Sequence, residues 1–496
     1  MPGMALEPSQ REFMSFRGNA NVVAVSCELP ADLETPISAY LRLRDLPGSF
    51  LFESVEGGAQ VARFSVLGGD PRLTIESDGV AARVLDRDGR VTEVGPPLAV
   101  VRSHLDRYRA ATRPDLPPMI GGFVGFLGYD AIRLWERLPH RPPDDLGLPV
   151  LRLSLMDTVV VFDHRHHTLR IVASAFLDEG AETAYRRARE RIDALVERLE
   201  RPRPPDPARP AVPVEPRAQT TPEAYCAAVE RAQEHIRAGD IFQVILSQRF
   251  AAAVPGLDPL TIYRTLRRLN PSPYMFLLDA GKAWLAGASP ERLVRLEQGR
   301  LDMRPLAGTR RRGATAAEDE ALAAELLADP KERAEHVMLV DLTRNDVGRV
   351  SRYGSVRVAE LMAIERYSHV MHLVSHVEGE LAARRAPWDV LQAVFPHGTV
   401  SGAPKVRAME IIDELEPVAR GPYAGTVGYL GLDGSLNTAI TIRTVLLHRG
   451  TAYVQAGAGI VADSVPEQEH QECVAKARGI LGALAEAGGH DAARDR

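Results

Sequence analysis

"YAGTVGYLGLDGSLNTAITIRTVLLHRGTAYVQAGAG" (Tyr423 to Gly459) is the stretch that decides the fold class. Three runs rich in β-branched and aromatic residues are parted by Asp433-Gly434 and Arg449-Gly450, dipeptides that favour two-residue hairpin turns. The pattern predicts an antiparallel meander rather than a series of βαβ units. In the middle run Arg443 falls on the strand face of Thr441 and Val445. A central-strand arginine is costly unless an anion meets it, so it implies either a structural ion pair or a ligand. In the last run Gly457 and Gly459 would let backbone N–H groups approach an anionic group closely.

Outward from the meander, "IFQVILSQRF" (Ile241 to Phe250) reads as a two-faced strand, with Phe242, Val244, Leu246 and Phe250 on one side and Gln243, Ser247 and Arg249 on the other. Thr221 and Pro222 form an N-cap and N1 pair for a helix that stops near Gly239. The proline-rich "RPRPPDPARPAVPVEPRAQT" forbids a continuous helix or central strand. It divides the chain into an N-terminal part, 1–200, a linker, 201–220, and a C-terminal part, 221–490. The N-terminal part holds short strands and glycine-rich turns. "GGFVGFLGYD" lacks the strand-turn-helix setting of a dinucleotide fingerprint and reads as close backbone packing. "DHRHHTL" reads as a hairpin turn in preference to a metal site.

With 496 residues, 45% hydrophobic and 25% charged, the composition is that of an ordinary soluble globular protein. A net charge of −6 argues against nucleic acid as the main partner. Cys27, Cys226 and Cys473 are few and scattered, suggesting no disulfide framework or zinc site. No signal pattern or membrane-length apolar run occurs, so a cytoplasmic location and no membrane association are expected.

Two helices carry carboxylates at i, i+3, which share one face. Asp329 caps and Pro330 opens a helix bearing Glu332 and Glu335. Ser464 and Glu467 suggest a capping box before Glu469 and Glu472. Such pairs are commonly solvated faces. Val337 to Val340, however, is apolar all round and implies a buried helix, where carboxylates need a cation; oxygen ligands alone suit Mg²⁺. "RPLAGTRRRG" (Arg304 to Gly313) and "PHGTVSGAPK" (Pro396 to Lys405), with its Thr399 and Ser401 hydroxyls, add glycine-flanked donors. A small dianionic acid suits this set better than a polymer.

"DPKERAEHVMLVDLTRND", "HGTVSGAPKVRAMEIIDELE", "GPYAGTVGYL" and "QAGAGIVADSVPEQEHQE" resemble the chorismate-utilising enzymes, and within them the anthranilate synthase large subunits, component I. The resemblance spans Thr221 to Ala485, and "FLFESVEGG" with "ARFSVLGGDP" extends it over most of the chain. It implies an α/β (α+β) fold of two packed antiparallel sheets forming a sandwich with helices outside. It implies Mg²⁺ on Glu335 and Glu472, with Glu332 and Glu469 in a second layer. Gly308, Thr309, Tyr423, Arg443, Gly457, Ala458 and Gly459 would bind chorismate. Glu291, in "GASPERLV", would act as general acid, or be a surface glutamate after a Ser-Pro turn. His372 would assist elimination, or be a buried hydrogen-bonded histidine, and Thr399 would orient the substrate or the histidine.

Relatives that make aminodeoxychorismate carry lysine where this chain has Ala307, and isochorismate and salicylate synthases carry lysine where it has Gln243. Both differences select the ammonia-using branch that forms anthranilate and pyruvate through aminodeoxyisochorismate, the first step of tryptophan biosynthesis. Aminodeoxychorismate synthase and a non-catalytic chorismate or tryptophan sensor are the alternatives. The resemblance also implies feedback inhibition by L-tryptophan bound in the N-terminal regulatory part, at Ser54 with Pro273, Tyr274 and Met275; Phe52 departs from the usual leucine. No Gly-x-Cys-x-Gly-type nucleophile turn is present, so a separate glutamine amidotransferase small subunit is expected, in a heterotetramer of two large and two small subunits. Arg310 to Arg312 receive no role beyond a solvated rim.

Overall fold

The computed structural model describes residues 5–16, 20–55, 63–111, 113, 115–207, 213–367 and 370–489. Residues 208–212 of the proline-rich stretch lie outside them. Both hairpins of the meander form, but its middle run is not one strand. Leu436–Ile440 pairs with Thr426–Gly431 in one sheet, whereas Thr444–His448 pairs with Thr451–Ile460 in the other. Residues 441–443 carry the chain across, with Arg443 at φ +51°. Arg443 is therefore not mid-strand: a continuous pleat cannot serve two sheets, and the left-handed residue supplies the corner at a cost of about 1–2 kcal/mol.

A second corner lies beside the first. Ala283–Ser289 belongs to the second of these sheets and Arg292–Glu297 to the first, joined through Pro290 and Glu291. Proline has no N–H to extend a ladder, which helps end the strand there. The corners are stitched by Ile440 N–H to Glu291 O (3.0 Å), Ala288 N–H to Arg443 O (3.1 Å) and Ser289 Oγ to Ile440 O (2.7 Å).

Among the described residues each sheet has twelve strands, and every strand pairing is antiparallel. Each sheet takes strands from both sides of the proline-rich stretch. Phe50–Glu53 pairs with Tyr274–Asp279, and Gly122–Leu127 with Thr426–Gly431. Phe50, Val124, Phe126, Phe276, Leu285, Val427 and Ala439 meet in the layer between the sheets. Each such large side chain contributes about 1.5–3 kcal/mol by leaving water. Gly125 permits this density, because a Cβ there would stand 1.9 Å from Arg152 O. The "DHRHHTL" segment is a hairpin turn between Thr158–Asp163 and Thr168–Phe176.

Helices cover the outer faces; Pro466–Ala487 packs on Thr451–Ile460 and on the helix Pro259–Leu269. No helix of the described residues is long and apolar enough to cross a membrane. Pro222–Arg237 and Pro330–Gly348 begin as the sequence indicates, capped by Thr221 and Asp329.

Three details differ. Val337 is 52% exposed while Leu339 and Val340 are buried, so the Pro330–Gly348 helix is one-sided rather than enclosed. The Ser464 hydroxyl accepts from Val461 N–H, and Val465 takes the N-cap position without a side-chain bond; no capping box forms. Phe242 is exposed and precedes the strand, which starts at Gln243, and Gln248 occupies the face assigned to apolar residues.

Candidate active site

The paired corners carry a buried carboxyl, Glu291, and a half-buried guanidinium, Arg443. Glu291 is 5% exposed, not on a surface turn. Burial raises its carboxyl pKa to about 8, while a hydrogen bond with Thr399 and the charge of Lys476 act in the opposite direction. Thr399 Oγ1 lies 3.0 Å from Glu291 Oε1, and His397 Nδ1 lies 2.7 Å from the same hydroxyl. Arg443 is largely desolvated, which lowers its pKa, with the charge of Tyr423 opposing. Among the described residues its guanidinium has no ion pair, so the structural alternative for it is not realised. A desolvated, unpaired guanidinium is a receptor for an anion.

His372 comes from Val370–Glu380, whose neighbour Leu306–Arg311 delivers Gly308 and Thr309. Its Nδ1 is 3.1 Å from both Gly308 O and Thr309 Oγ1. A carbonyl only accepts, so Nδ1 carries the hydrogen and Nε2 keeps the free lone pair. Burial lowers the pKa, a hydrogen bond to Gly308 opposes it, and the Arg443 charge lowers it further. The ring is thus a neutral base. Gly308 has φ +60°, and a Cβ on it would lie 3.1 Å from Glu332 Oε2, so the bulge brings this backbone against the helix carboxylates.

The glycine strand closes the other wall. Ala458 packs into the core, while a Cβ on Gly457 would meet Tyr423 Oη at 2.9 Å and one on Gly459 would meet Gln243 Nε2 at 2.8 Å. Gln243 Nε2 donates to Glu335 Oε1 at 3.0 Å. Lys476, one turn beyond Glu472, donates to Glu472 Oε1 (2.7 Å) and Gly457 O (3.0 Å).

Glu332, Glu335, Glu469 and Glu472 offer oxygen donors alone, the donor type Mg²⁺ takes. Among the described residues no three ligating side chains converge into a complete cage. Mg²⁺ does not require one, since it commonly takes one or two carboxylates and completes its shell with water and substrate oxygens. Burial and the charge of Glu472 raise the pKa of Glu469, with Ser464, Lys331 and Lys476 opposing. A divalent cation would reverse that shift. The all-oxygen set on the two helix starts fits this ion.

Arg310 to Arg312 all hold acidic partners, so they are more than a solvated rim, although Arg311 stays exposed. Arg310 bonds Glu332 (3.1 Å), Asp329 (2.9 Å) and Glu325 (3.0 Å), while Arg311 and Arg312 pair with Glu318 and Asp319. Arg310 ties the strand of Gly308 to the helix of Glu332, and the other two tie it to the preceding helix, Ala316–Ala328. His397, Lys476 and the Arg420–Glu416 pair escaped the sequence reading. His397 sits two residues before Thr399 and Lys476 four after Glu472, spacings that could have raised both; Arg420 left no local signal.

Ser54, Pro273, Tyr274 and Met275 are brought together elsewhere. Val55 N–H bonds Ser272 O, and Met275 is registered with Glu53. The Ser54 hydroxyl is buried with no partner among the described residues. Beside it Glu53 accepts from Tyr263 Oη (2.6 Å) and Arg267 Nε (3.0 Å).

A pleated sandwich whose two corners bear an acid and an anion receptor defines a class, and the comparisons identify it. The profile of the chorismate binding enzyme family matches residues 62–482, and the chain belongs to that family. It is 47% identical to anthranilate synthase component 1 of Acetivibrio thermocellus, over 97% of this chain and 99% of that one. It is 50% identical to anthranilate synthase component 1 of Thermus thermophilus, over 92% and 97% respectively. The crystal structure of anthranilate synthase component I from Streptococcus pneumoniae superposes with a TM-score of 0.76 at 38% identity, covering 91% of this chain and 99% of that one.

Proposed function

We propose that this protein is the chorismate-converting component of an anthranilate synthase working in the cytoplasm, forming anthranilate and pyruvate from chorismate and ammonia. The observation that carries the reading is the pair of adjoining corners, one bearing a carboxyl whose pKa burial raises to about 8 and the other an unpaired, largely desolvated guanidinium, in a chain near half identical to component 1 proteins. Arg443 would hold the enolpyruvyl carboxylate, with Tyr423 and the Gly457 to Gly459 backbone around the ring. Ammonia would form the bond to C2 as the C4–O bond breaks, and Glu291 would give the departing hydroxide its proton. His372 Nε2 would then take the C2 proton as the C3–O bond breaks; the released enolpyruvate gains a proton to become pyruvate. Bound through Glu335 and Glu472, Mg²⁺ would neutralise and orient the ring carboxylate.

Two residues support this branch. Ala307 is buried and offers no amine to attack the ring. Gln243 spends its amide on Glu335 and cannot serve as a base that activates water. A separate amidotransferase subunit would supply ammonia, in an assembly of two of each chain, and free ammonium salt should replace it.

The test mixes the protein with chorismate, Mg²⁺ and an ammonium salt and follows anthranilate fluorescence. Fluorescence abolished by a chelator and restored by Mg²⁺ is expected; chorismate left untouched would mean a binding protein instead. Glu469→Gln is expected to weaken Mg²⁺ about 10–100-fold, as removal of an outer-layer partner does, read by titration calorimetry with chorismate present. Tryptophan is expected to suppress the fluorescence through the Ser54 region, where an orphan hydroxyl awaits a polar partner. Ser54→Ala should raise the tryptophan concentration for half-inhibition about tenfold, the worth of one hydrogen bond to a charged group. An unchanged inhibition curve would place the effector elsewhere.

A further inference from the structure

We propose that His397 is a positioning residue for the proton donor: by taking the Thr399 hydroxyl hydrogen it holds Glu291 as a neutral acid. The proposal rests on Glu291 being that donor and follows from counting hydrogens. His397 Nδ1 is met by the Thr399 backbone N–H at 3.3 Å and by Thr399 Oγ1 at 2.7 Å. An N–H only donates, so Nδ1 presents a lone pair and the ring hydrogen sits on Nε2. The hydroxyl therefore donates to Nδ1, and it has one hydrogen to give. What remains toward Glu291 Oε1, 3.0 Å away, is an acceptor. Only a protonated carboxyl can use it.

The enclosure supports this order. His397 and Glu291 are 3% and 5% exposed, and Nδ1 stands 3.4 Å from Oε1. Burial, aided by the charge of Lys405, holds the imidazole neutral by lowering its pKa to about 3. The charged or titratable groups acting on Glu291 are His397, from the same loop as Thr399, and Lys476 from the Pro466–Ala487 helix. Lys476 favours the carboxylate, as would a hydroxyl free to donate. His397 removes the second of these influences, and a hydrogen bond made by the neutral form raises a carboxyl pKa.

His397→Leu keeps the volume and deletes the acceptor; His397→Asn keeps an acceptor oxygen near the Nδ1 position. The alkaline limb of kcat/KM for chorismate, with ammonium salt and Mg²⁺, is expected to fall by about one pH unit in His397→Leu and to return in His397→Asn, with KM little changed. A lower rate with the limb unmoved, in a variant whose thermal melt shows it folded, would overturn the proposal. Infrared difference spectra between the wild type and Glu291→Gln read the carboxyl directly. They should show a protonated, hydrogen-bond-donating Glu291 at neutral pH, and a carboxylate there overturns the proposal even if His397→Leu fails to fold. If the infrared titration shifts with His397 while Glu291→Gln keeps full activity, the relay stands and the role of Glu291 as the acid falls.

Discussion

Glu291→Gln is expected to lower kcat for anthranilate formation by about 10²–10⁴-fold, the usual worth of a positioned proton donor, while chorismate still binds. Glutamine keeps the shape and a hydrogen bond to Thr399 but has no proton to give at the pH of the reaction. The wild-type rate should be sustained below pH 8 and fall as pH rises through it, because burial raises the carboxyl pKa to about 8. His372 must be neutral to accept a proton, and its lowered pKa moves the acidic limb below the ordinary imidazole range. Stability follows from the same shift. Between the ordinary glutamate range and about pH 8 the folded chain binds more protons than the unfolded one, so stability declines with rising pH. Glu291→Gln should flatten that decline. Single-turnover rates with equilibrium binding of chorismate separate chemistry from affinity; a variant with full kcat would remove Glu291 from the reaction.

Arg420→Ala is expected to destabilise the fold by about 3–5 kcal/mol, the range for breaking one side of a buried ion pair. Arg420 is 2% exposed. It donates to both Glu416 oxygens (2.8 and 2.6 Å) and to Val400 O and Ile245 O, both at 2.7 Å. Glu416 in turn accepts from the backbone N–H and hydroxyl of Ser247, both at 2.8 Å. Removing the guanidinium strands a buried carboxylate and two buried carbonyls together. It also frees the ring of Tyr423, 5.6 Å from the guanidinium carbon, and the loop after Thr399, so KM for chorismate should rise as well. Urea unfolding followed by tryptophan fluorescence measures the first effect. A loss below about 1 kcal/mol would show that water reaches the pair.

Much of the candidate site could be found in the linear chain because short-range rules determine it. The Asp329 cap and Pro330 start orient Glu332 and Glu335, and the two hairpin turns orient the glycine strand. Gly308 has the left-handed backbone suited to a bulge. The structure departs from these local rules where distant residues decide the outcome. Val337 looked enclosed beside its apolar neighbours, yet its face of the helix meets solvent. Ser464 had the spacing of a capping residue but turned its hydroxyl to Val461. The arginine triplet looked like a rim because its acidic partners lie on following helices.

What the sequence by itself determined is the inventory and its local geometry: an antiparallel architecture, carboxylates in i, i+3 pairs, an arginine and glycines in a meander, and the absence of lysine at Ala307 and Gln243. Hairpin turns, caps and side-chain periodicity act over a few residues, so these features were readable. Only the tertiary structure decided that the strands before Glu291 and before Arg443 break and change sheets side by side, and that the groups there are desolvated. Desolvation depends on every segment packed around a group. It keeps a proton on Glu291, leaves Arg443 wanting an anion and makes His397 a neutral acceptor, properties that no stretch of sequence carries alone.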